Sequence, residues 1–236
     1  VDIIMLTTTY FIGYYLGTRL FKLDKDLCML TSIGSSICGA AAILGTDSML
    51  KAKSHKVSLA VSTVVLFGTI AMFLYPVLYN IGILPSNVFG IYIGATVHEV
   101  AQVVAAGSAI SSNITDTAVI VKLTRVMMLV PYLFFLGLYL KKKSKTQTAK
   151  IPIPWFAVLF VIMCIVNSTN LIPRYITDRI IELDIILLTM AMFALGIETN
   201  FEKIKGLGIK PILVSLIMFI WLVIGGFLTI NIITKL

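Results

Sequence analysis

The sequence is poor in charged residues, which make up only 13% of its 236 positions, whereas 58% are hydrophobic. Soluble globular domains carry about 25% charged and roughly 45–50% apolar residues. A chain of this length does not need so much apolar surface to fill one core, so its outer surface must be apolar as well. The composition therefore excludes an ordinary soluble domain and indicates that the protein is surrounded by lipid.

Cysteine and histidine are also scarce, with three and two residues. The cysteines show no C-x-x-C spacing, so the sequence predicts no disulfide framework, no metal site and no cofactor. The segment HEVAQ (98–102) differs by one residue from the zinc motif H-E-x-x-H, which requires a second histidine where this chain has Gln102. This excludes a zinc protease. Because no nucleophile–base pair can be recognised either, we expect that the protein is not an enzyme.

Long hydrophobic runs are abundant, and each is about the 20 residues that a helix needs to cross a bilayer. The alternation over about ten residues that is typical of membrane β-barrels is not visible. We predict an all-α, polytopic integral membrane protein with a single transmembrane domain over residues 1–236. Because the chain begins at Val1 inside a hydrophobic run, we expect N-terminal helices to be missing. The runs fall near residues 3–20, 27–46, 57–79, 88–110, 117–140, 153–172, 180–197 and 209–233.

The net charge of +8 comes largely from short loops between these runs. Basic loops of this kind are typical of the cytoplasmic side of membrane proteins and contact anionic lipid headgroups. The expected partner is therefore a lipid bilayer and not a nucleic acid. The basic residues of two such loops are Lys51, Lys53 and Lys56, followed by Lys141, Lys142, Lys143, Lys145 and Lys150.

Two of the runs are interrupted by glycine and polar residues. Run 27–46 contains SIGSSICG (32–39) and has basic loops on both sides, whereas the loops that flank run 88–110 contain no basic residue. The segment IGSS (33–36) also resembles IGAT (93–96), which indicates a weak internal repeat. Interrupted segments in matching positions indicate a transporter binding site. The two runs are either re-entrant hairpins of inverted repeats or interrupted helices that cross the membrane.

Ionisable residues inside these runs are the first candidates for a site, because each costs about 2.5–3.5 kcal/mol to insert into a bilayer. His98, Glu99 and Gln102 share one helix face, and Lys122 and Arg125 share a face of the next helix. If Glu99 faced either cation, the buried charge would be cancelled. Two interpretations remain open: a structural ion pair, or an anion site with proton coupling through His98 and Glu99.

The first broken run supplies the other candidates, Ser35, Ser36, Cys38 and Gly39. They offer hydroxyls, a thiol and exposed backbone amides, and an adjacent half-helix N-terminus would favour an anion through its dipole. Small residues also allow helices to pack closely, which is an equally good explanation of this segment.

Several sequence blocks are distinctive: GSSICGAAAI (34–43), LFGTIAMFLYP (66–76), HEVAQVVAAG (98–107) and VKLTRV (121–126), together with Pro154-Trp155-Phe156, Asn167-Ser168 and Gly196-x-x-Thr199-Asn200. These blocks resemble a family of bacterial inner-membrane proteins described as sulfate exporters, and the resemblance covers essentially the whole chain. Two positions depart from the family. A block that usually reads GASAI has Ala41 here in place of its serine, and Asp47 lies in a stretch that is usually small and apolar.

The resemblance implies a multi-pass transporter of the cation/proton antiporter and anion transporter superfamily, with about ten helices in inverted repeats and about a hundred further N-terminal residues. We therefore expect a secondary transporter in the bacterial inner membrane that exports a small anion, sulfate or similar, with proton or sodium coupling. A passive anion channel and a non-transporting membrane scaffold are the alternatives. The sequence leaves a homo-oligomer open.

Overall fold

The computed structural model describes residues 1–143, 155–169, 171–198 and 208–234. Every regular element in these residues is a helix, and α1 continues into a π-helical turn at Leu16–Leu20. Five residues named in the sequence analysis lie outside the described ones: Lys145, Lys150, Pro154, Thr199 and Asn200. The helices are α1 (Asp2–Tyr15), α2 (Lys25–Ser36), α3 (Ala40–Leu50), α4 (Ser54–Ile81), α5 (Ser86–Thr96), α6 (Val100–Ser108), α7 (Ser112–Met127), α8 (Leu129–Lys143), α9 (Trp155–Ser168), α10 (Arg174–Glu198) and α11 (Ile209–Thr234).

Three stretches of the described chain are long and apolar enough to cross a membrane: Ser54–Ile81, Ser112–Leu140 and Ile209–Ile233. The second of these comprises α7 and α8, which are separated only by Met128. Large apolar side chains such as Phe73 and Phe135 point outward, each 67% exposed, as expected for a surface that faces lipid. The predicted all-α polytopic membrane protein is confirmed.

Helix α10 begins at Arg174, before the hydrophobic run near residues 180–197. The first turns of α10 are charged, and Arg179 pairs with Glu182 at 2.9 Å along the helix surface. Such pairs stabilise a helix without making it apolar, so a search for hydrophobic runs does not detect these turns.

The first broken run forms α2 and α3, which are separated by only three residues, 37–39. Ile37 leaves the helical region with φ −112° and ψ −83°, and Gly39 has φ +69°, a backbone conformation that favours glycine. The non-helical residues thus lie at the end of the segment SIGSSICG (32–39). Ser32 to Ser36 lie inside α2 and are buried, so their small size serves helix packing.

Helices α2 and α3 form a hairpin whose two ends lie together. Lys56, in the first turn of α4, has its Nζ atom 2.6 Å from Asp24 Oδ1 and 3.0 Å from Asp26 Oδ2 at the start of α2. A straight helix over residues 25–50 would instead place its own two ends roughly 39 Å apart, and α4 begins soon after the second of them. The Lys56 ammonium also holds the pKa of Asp24 below its usual range through this hydrogen bond.

Helices α5 and α6 form a second hairpin, in which residues 97–99 are the tip. Gly90, near the start of α5, faces Ile114 on the first turn of α7. Gly107, at the end of α6, faces Thr115 on the same turn. Both ends of this hairpin therefore lie at the start of α7.

The two hairpins approach each other from opposite ends of α4. Helix α4 begins at the base of the α2–α3 hairpin and ends at the base of the α5–α6 hairpin, where the Tyr79 hydroxyl lies 3.0 Å from Ser86 Oγ. Gly68, near the middle of α4, faces the side chain of Gln102 in α6. Gly39, in the tip of the first hairpin, faces Glu99 in the tip of the second. The two tips thus meet halfway along α4.

Candidate functional site

The meeting point of the two tips contains the C-terminal ends of α2 and α5, and one ammonium group joins them. Lys122 Nζ donates hydrogen bonds to the carbonyl oxygens of Ile37, at 2.8 Å, and Val97, at 2.7 Å. Ile37 and Val97 are the C-caps of α2 and α5, so these carbonyls lack partners within their own helices. The fully buried Lys122 thereby places a positive charge at the negative ends of two helix dipoles.

Glu99 joins the N-terminal ends of the other two half-helices. It is the N-cap of α6 and forms a capping box with Gln102, whose Oε1 accepts from the Glu99 N–H at 3.2 Å. The Glu99 carboxylate also accepts from the N–H of Ala40, the first residue of α3, at 3.1 Å. One negative charge therefore serves two positive helix ends, one in each hairpin.

Arg125 is the second buried cation of the site. Its Nη1 donates to the carbonyl oxygen of Ala95, near the end of α5. Its Nε and Nη2 are buried and have no hydrogen-bond partner among the described residues. Asp2 is the acidic side chain with the strongest electrostatic effect on Arg125, and its Oδ1 is likewise buried without a partner there.

The ion pair that would cancel charge between Glu99 and a cation of α7 is not formed. In the described part of the chain, ion pairs join Lys56 to Asp24 and Asp26, and Arg179 to Glu182. Glu99 and Lys122 are instead neutralised by helix ends. This arrangement is consistent with two broken helices, because each break exposes one carbonyl end and one amide end.

The remaining predicted residues lie in or next to the two tips. His98 is 2% exposed, its Nδ1 has no partner in the described chain, and its ring centroid lies 6.4 Å from that of Phe219. Cys38 and Ser35 are also buried. Ser36 donates its hydroxyl to the Ser32 carbonyl at 2.6 Å, so that donor is occupied within its own helix.

The structure thus brings the sequence-predicted residues together at one crossing of two hairpins. No group of three or more histidine, cysteine, aspartate or glutamate residues that could hold a metal occurs among the described residues. The predicted set was Ser35, Ser36, Cys38, Gly39, His98, Glu99, Gln102, Lys122 and Arg125.

Sequence reasoning missed a chain of hydroxyl groups beside the site. The fully buried Tyr75 lies 2.5 Å from Thr96 Oγ1, measured between the two hydroxyl oxygens, and Thr96 donates to the Tyr92 carbonyl at 2.5 Å. Tyr92 donates its own hydroxyl to the Val223 carbonyl at 2.7 Å, which ties α5 to α11. A buried tyrosine in an apolar run needs a polar partner, and that requirement is the one signal in the sequence for this chain.

Comparison with known proteins identifies the relatives of the chain. A family model described as conserved hypothetical protein 698 matches residues 1–215. The UPF0324 inner membrane protein YeiH of Escherichia coli strain K12 is 48% identical over 231 residues, which cover 96% of this chain and 66% of that protein. The UPF0324 membrane protein PM1461 of Pasteurella multocida is 50% identical over 229 residues, covering 96% of this chain and 68% of that protein.

A further relative, the UPF0324 membrane protein of Yersinia pestis, is 48% identical over 238 residues. The chain spans 66% of the length of the Escherichia coli relatives, slightly under two thirds. No solved structure matches the chain. The relatives in Escherichia coli are inner membrane proteins, which confirms the predicted location in the bacterial inner membrane.

Proposed function

The chain belongs to the conserved hypothetical protein 698 family, and on that premise we propose that it is the larger part of a secondary transporter that exports a small anion, sulfate or similar, with proton or sodium coupling. The substrate, the coupling ion and the direction are parts of this proposal. A passive anion channel and a non-transporting scaffold are the competing functions.

The observation that carries the proposal is the pair of fully buried cations, Lys122 and Arg125, at the point where four half-helix ends meet. Ionisable residues within a bilayer are expensive and usually mark ion or substrate pathways. Lys122 is satisfied by two carbonyl groups, whereas Arg125 retains donors without a partner in the described chain. A bound anion would satisfy those donors and balance the positive charge.

The arrangement of the hairpins supports alternating access. In this proposal each hairpin is re-entrant and enters from its own side of the membrane, so movement of one hairpin opens the site to one side only. Inverted-topology transporters bind their substrates at such mid-membrane crossings of broken helices.

Glu99 is the proposed coupling group, because its carboxylate holds both tips together. Protonation of Glu99 would remove the negative charge that accepts from the Ala40 N–H. The tips would then separate more easily, and the positive potential at Arg125 would rise. Proton binding and anion binding would thus favour the same state of the transporter, so the two would cross the membrane together, and export of the anion would carry a proton outward with it.

Counterflow of labelled sulfate in proteoliposomes tests the proposal. Unlabelled sulfate inside the vesicles should drive transient accumulation of labelled sulfate by the wild-type protein. The same behaviour is expected of Lys210→Gln, which removes an exposed cation at the start of α11. Arg125→Gln, with its fold checked by circular dichroism, should lose counterflow.

The competing functions predict different results in the same assay. A passive channel would equilibrate the label without accumulation. A scaffold would move neither sulfate nor any other small anion in a panel. Counterflow that persists in Arg125→Gln would contradict the assignment of the buried cations to the substrate.

A further inference from the structure

The guanidinium of Arg125 has one occupied and one unoccupied edge. Its Nη1 donates to the Ala95 carbonyl, which fixes the orientation of the group. Its Nε and Nη2 form the opposite, side-on edge, and both are buried without a partner among the described residues. Buried donors without partners are rare in folded proteins, and each costs about 1–3 kcal/mol or more for a charged group.

The neighbouring charged groups do not accept hydrogen bonds from this edge of Arg125. Lys122, one helical turn earlier on α7, directs its ammonium to the carbonyls of Ile37 and Val97. Asp2 acts on Arg125 electrostatically, but it lies beyond ion-pair distance, and its Oδ1 also has no partner in the described chain. The two cations of α7 therefore differ. Lys122 binds the carbonyl ends of two helices, whereas Arg125 has two N–H donors without a partner in the described chain.

We propose that the Nε–Nη2 edge of Arg125 recognises an oxyanion through two adjacent oxygens, and that this contact selects oxyanions such as sulfate or a carboxylate over halides. The proposal rests on the proposed transport function. It names the class of substrate, oxyanions, and the group that binds it, the guanidinium of Arg125. A planar guanidinium edge presents two parallel N–H donors that match two oxygens of one anion. A halide offers a single centre and cannot accept two parallel hydrogen bonds in this way.

Lysine in place of Arg125 separates charge from geometry. Arg125→Lys keeps the positive charge but replaces the planar pair of donors by a compact ammonium, which is not an equivalent group at a bidentate site. Loss of one charge-assisted hydrogen bond corresponds to roughly a tenfold weaker affinity or more. Affinity for a halide depends mainly on charge, so it should change little.

The test is equilibrium binding of labelled inorganic sulfate to the purified protein in detergent, with chloride as a competitor. We expect the wild type and the control Lys210→Gln to bind sulfate in preference to chloride, and Arg125→Lys to bind sulfate at least about tenfold more weakly. Sulfate affinity of Arg125→Lys within twofold of the wild type would overturn the proposal. So would a wild type that binds chloride as tightly as sulfate.

A second variant keeps the proposal testable if Arg125→Lys does not fold. Asp2→Asn removes the acidic group with the strongest effect on Arg125 and should tighten sulfate binding severalfold. Weaker binding in Asp2→Asn would contradict an anion at this edge. Binding is measured without transport, so sulfate binding through Arg125 without counterflow would refute the transport function alone. If sulfate counterflow is the same in Arg125→Lys as in the wild type, only the recognition of the oxyanion by Arg125 is refuted.

Discussion

Replacement of Glu99 by alanine should separate the two hairpin tips. The side chain accepts from the Ala40 N–H at 3.1 Å and takes part in the capping box at the start of α6. Loss of an N-cap costs typically about 1 kcal/mol, and loss of a hydrogen bond to a charged group about 1.5–3 kcal/mol. Glu99→Ala should therefore lower the free energy of unfolding by about 2.5–4 kcal/mol.

Glu99→Gln should behave differently, because its amide oxygen still accepts from the Ala40 N–H. It loses only the charge contribution at the two helix ends, typically 0.3–1 kcal/mol each. By the scaling for chains of about this size, Glu99→Ala should lower the melting temperature by roughly 5–15 °C, and Glu99→Gln by only a few degrees. The Gln variant should thus remain folded while losing the group that can release a proton.

The measurement is thermal unfolding in detergent followed by circular dichroism at 222 nm. Glu182→Ala on α10 is a matched control, because it removes an exposed glutamate whose pair with Arg179 lies on the helix surface. Its melting temperature should hardly change, as expected for surface ion pairs. If Glu99→Ala has the same melting temperature as this control, Glu99 does not stabilise the contact between the two hairpin tips. The reasoning about the four helix ends would then be refuted.

Three further predictions follow from the hairpins. Gly68→Ala should lower the free energy of unfolding by about 1–3 kcal/mol in the same assay, because its methyl group would overlap the capping glutamine of α6; an unchanged melting temperature would contradict this contact. Single cysteines at Lys25 and Lys53, in a background without native cysteines, should react with an impermeant maleimide from the same side of the membrane; labelling from opposite sides would exclude the first hairpin. Lys56→Gln should cost about 0–1 kcal/mol at neutral pH and low salt. Because Lys56 lowers the pKa of Asp24, this difference should vanish as the pH falls below the usual aspartate range near 4; a difference that persists in acid would contradict the ion pair.

Much of the fold is predictable from the sequence because lipid imposes a simple length rule on apolar helices. The runs near 57–79 and 209–233 correspond closely to α4 and α11. The charge bias of the loops also raised the possibility that run 27–46 returns to its starting side. It could not decide between a hairpin and an interrupted crossing, since loop charge is a bias and not a geometric constraint.

The candidate site was found in the sequence through the cost of burying charge, but its contacts were not. The expected partner of Glu99 was a cation of α7, whereas its partners are backbone amides at two helix starts. Helix ends carry no distinctive side chain, so a sequence does not reveal that they neutralise Lys122 and Glu99. The exact break at 37–39 was likewise hidden, because the glycine and serine residues before it fit equally well inside a closely packed helix.

Transport of labelled sulfate under an imposed pH gradient tests the central claim most directly, in proteoliposomes that contain either the wild type or Glu99→Gln. We expect gradient-driven sulfate accumulation by the wild type and none by Glu99→Gln, although that variant remains folded and inserted. Equal gradient-driven accumulation by both proteins would remove Glu99 from the mechanism. Absence of sulfate movement by a correctly folded wild type would contradict the proposed function itself.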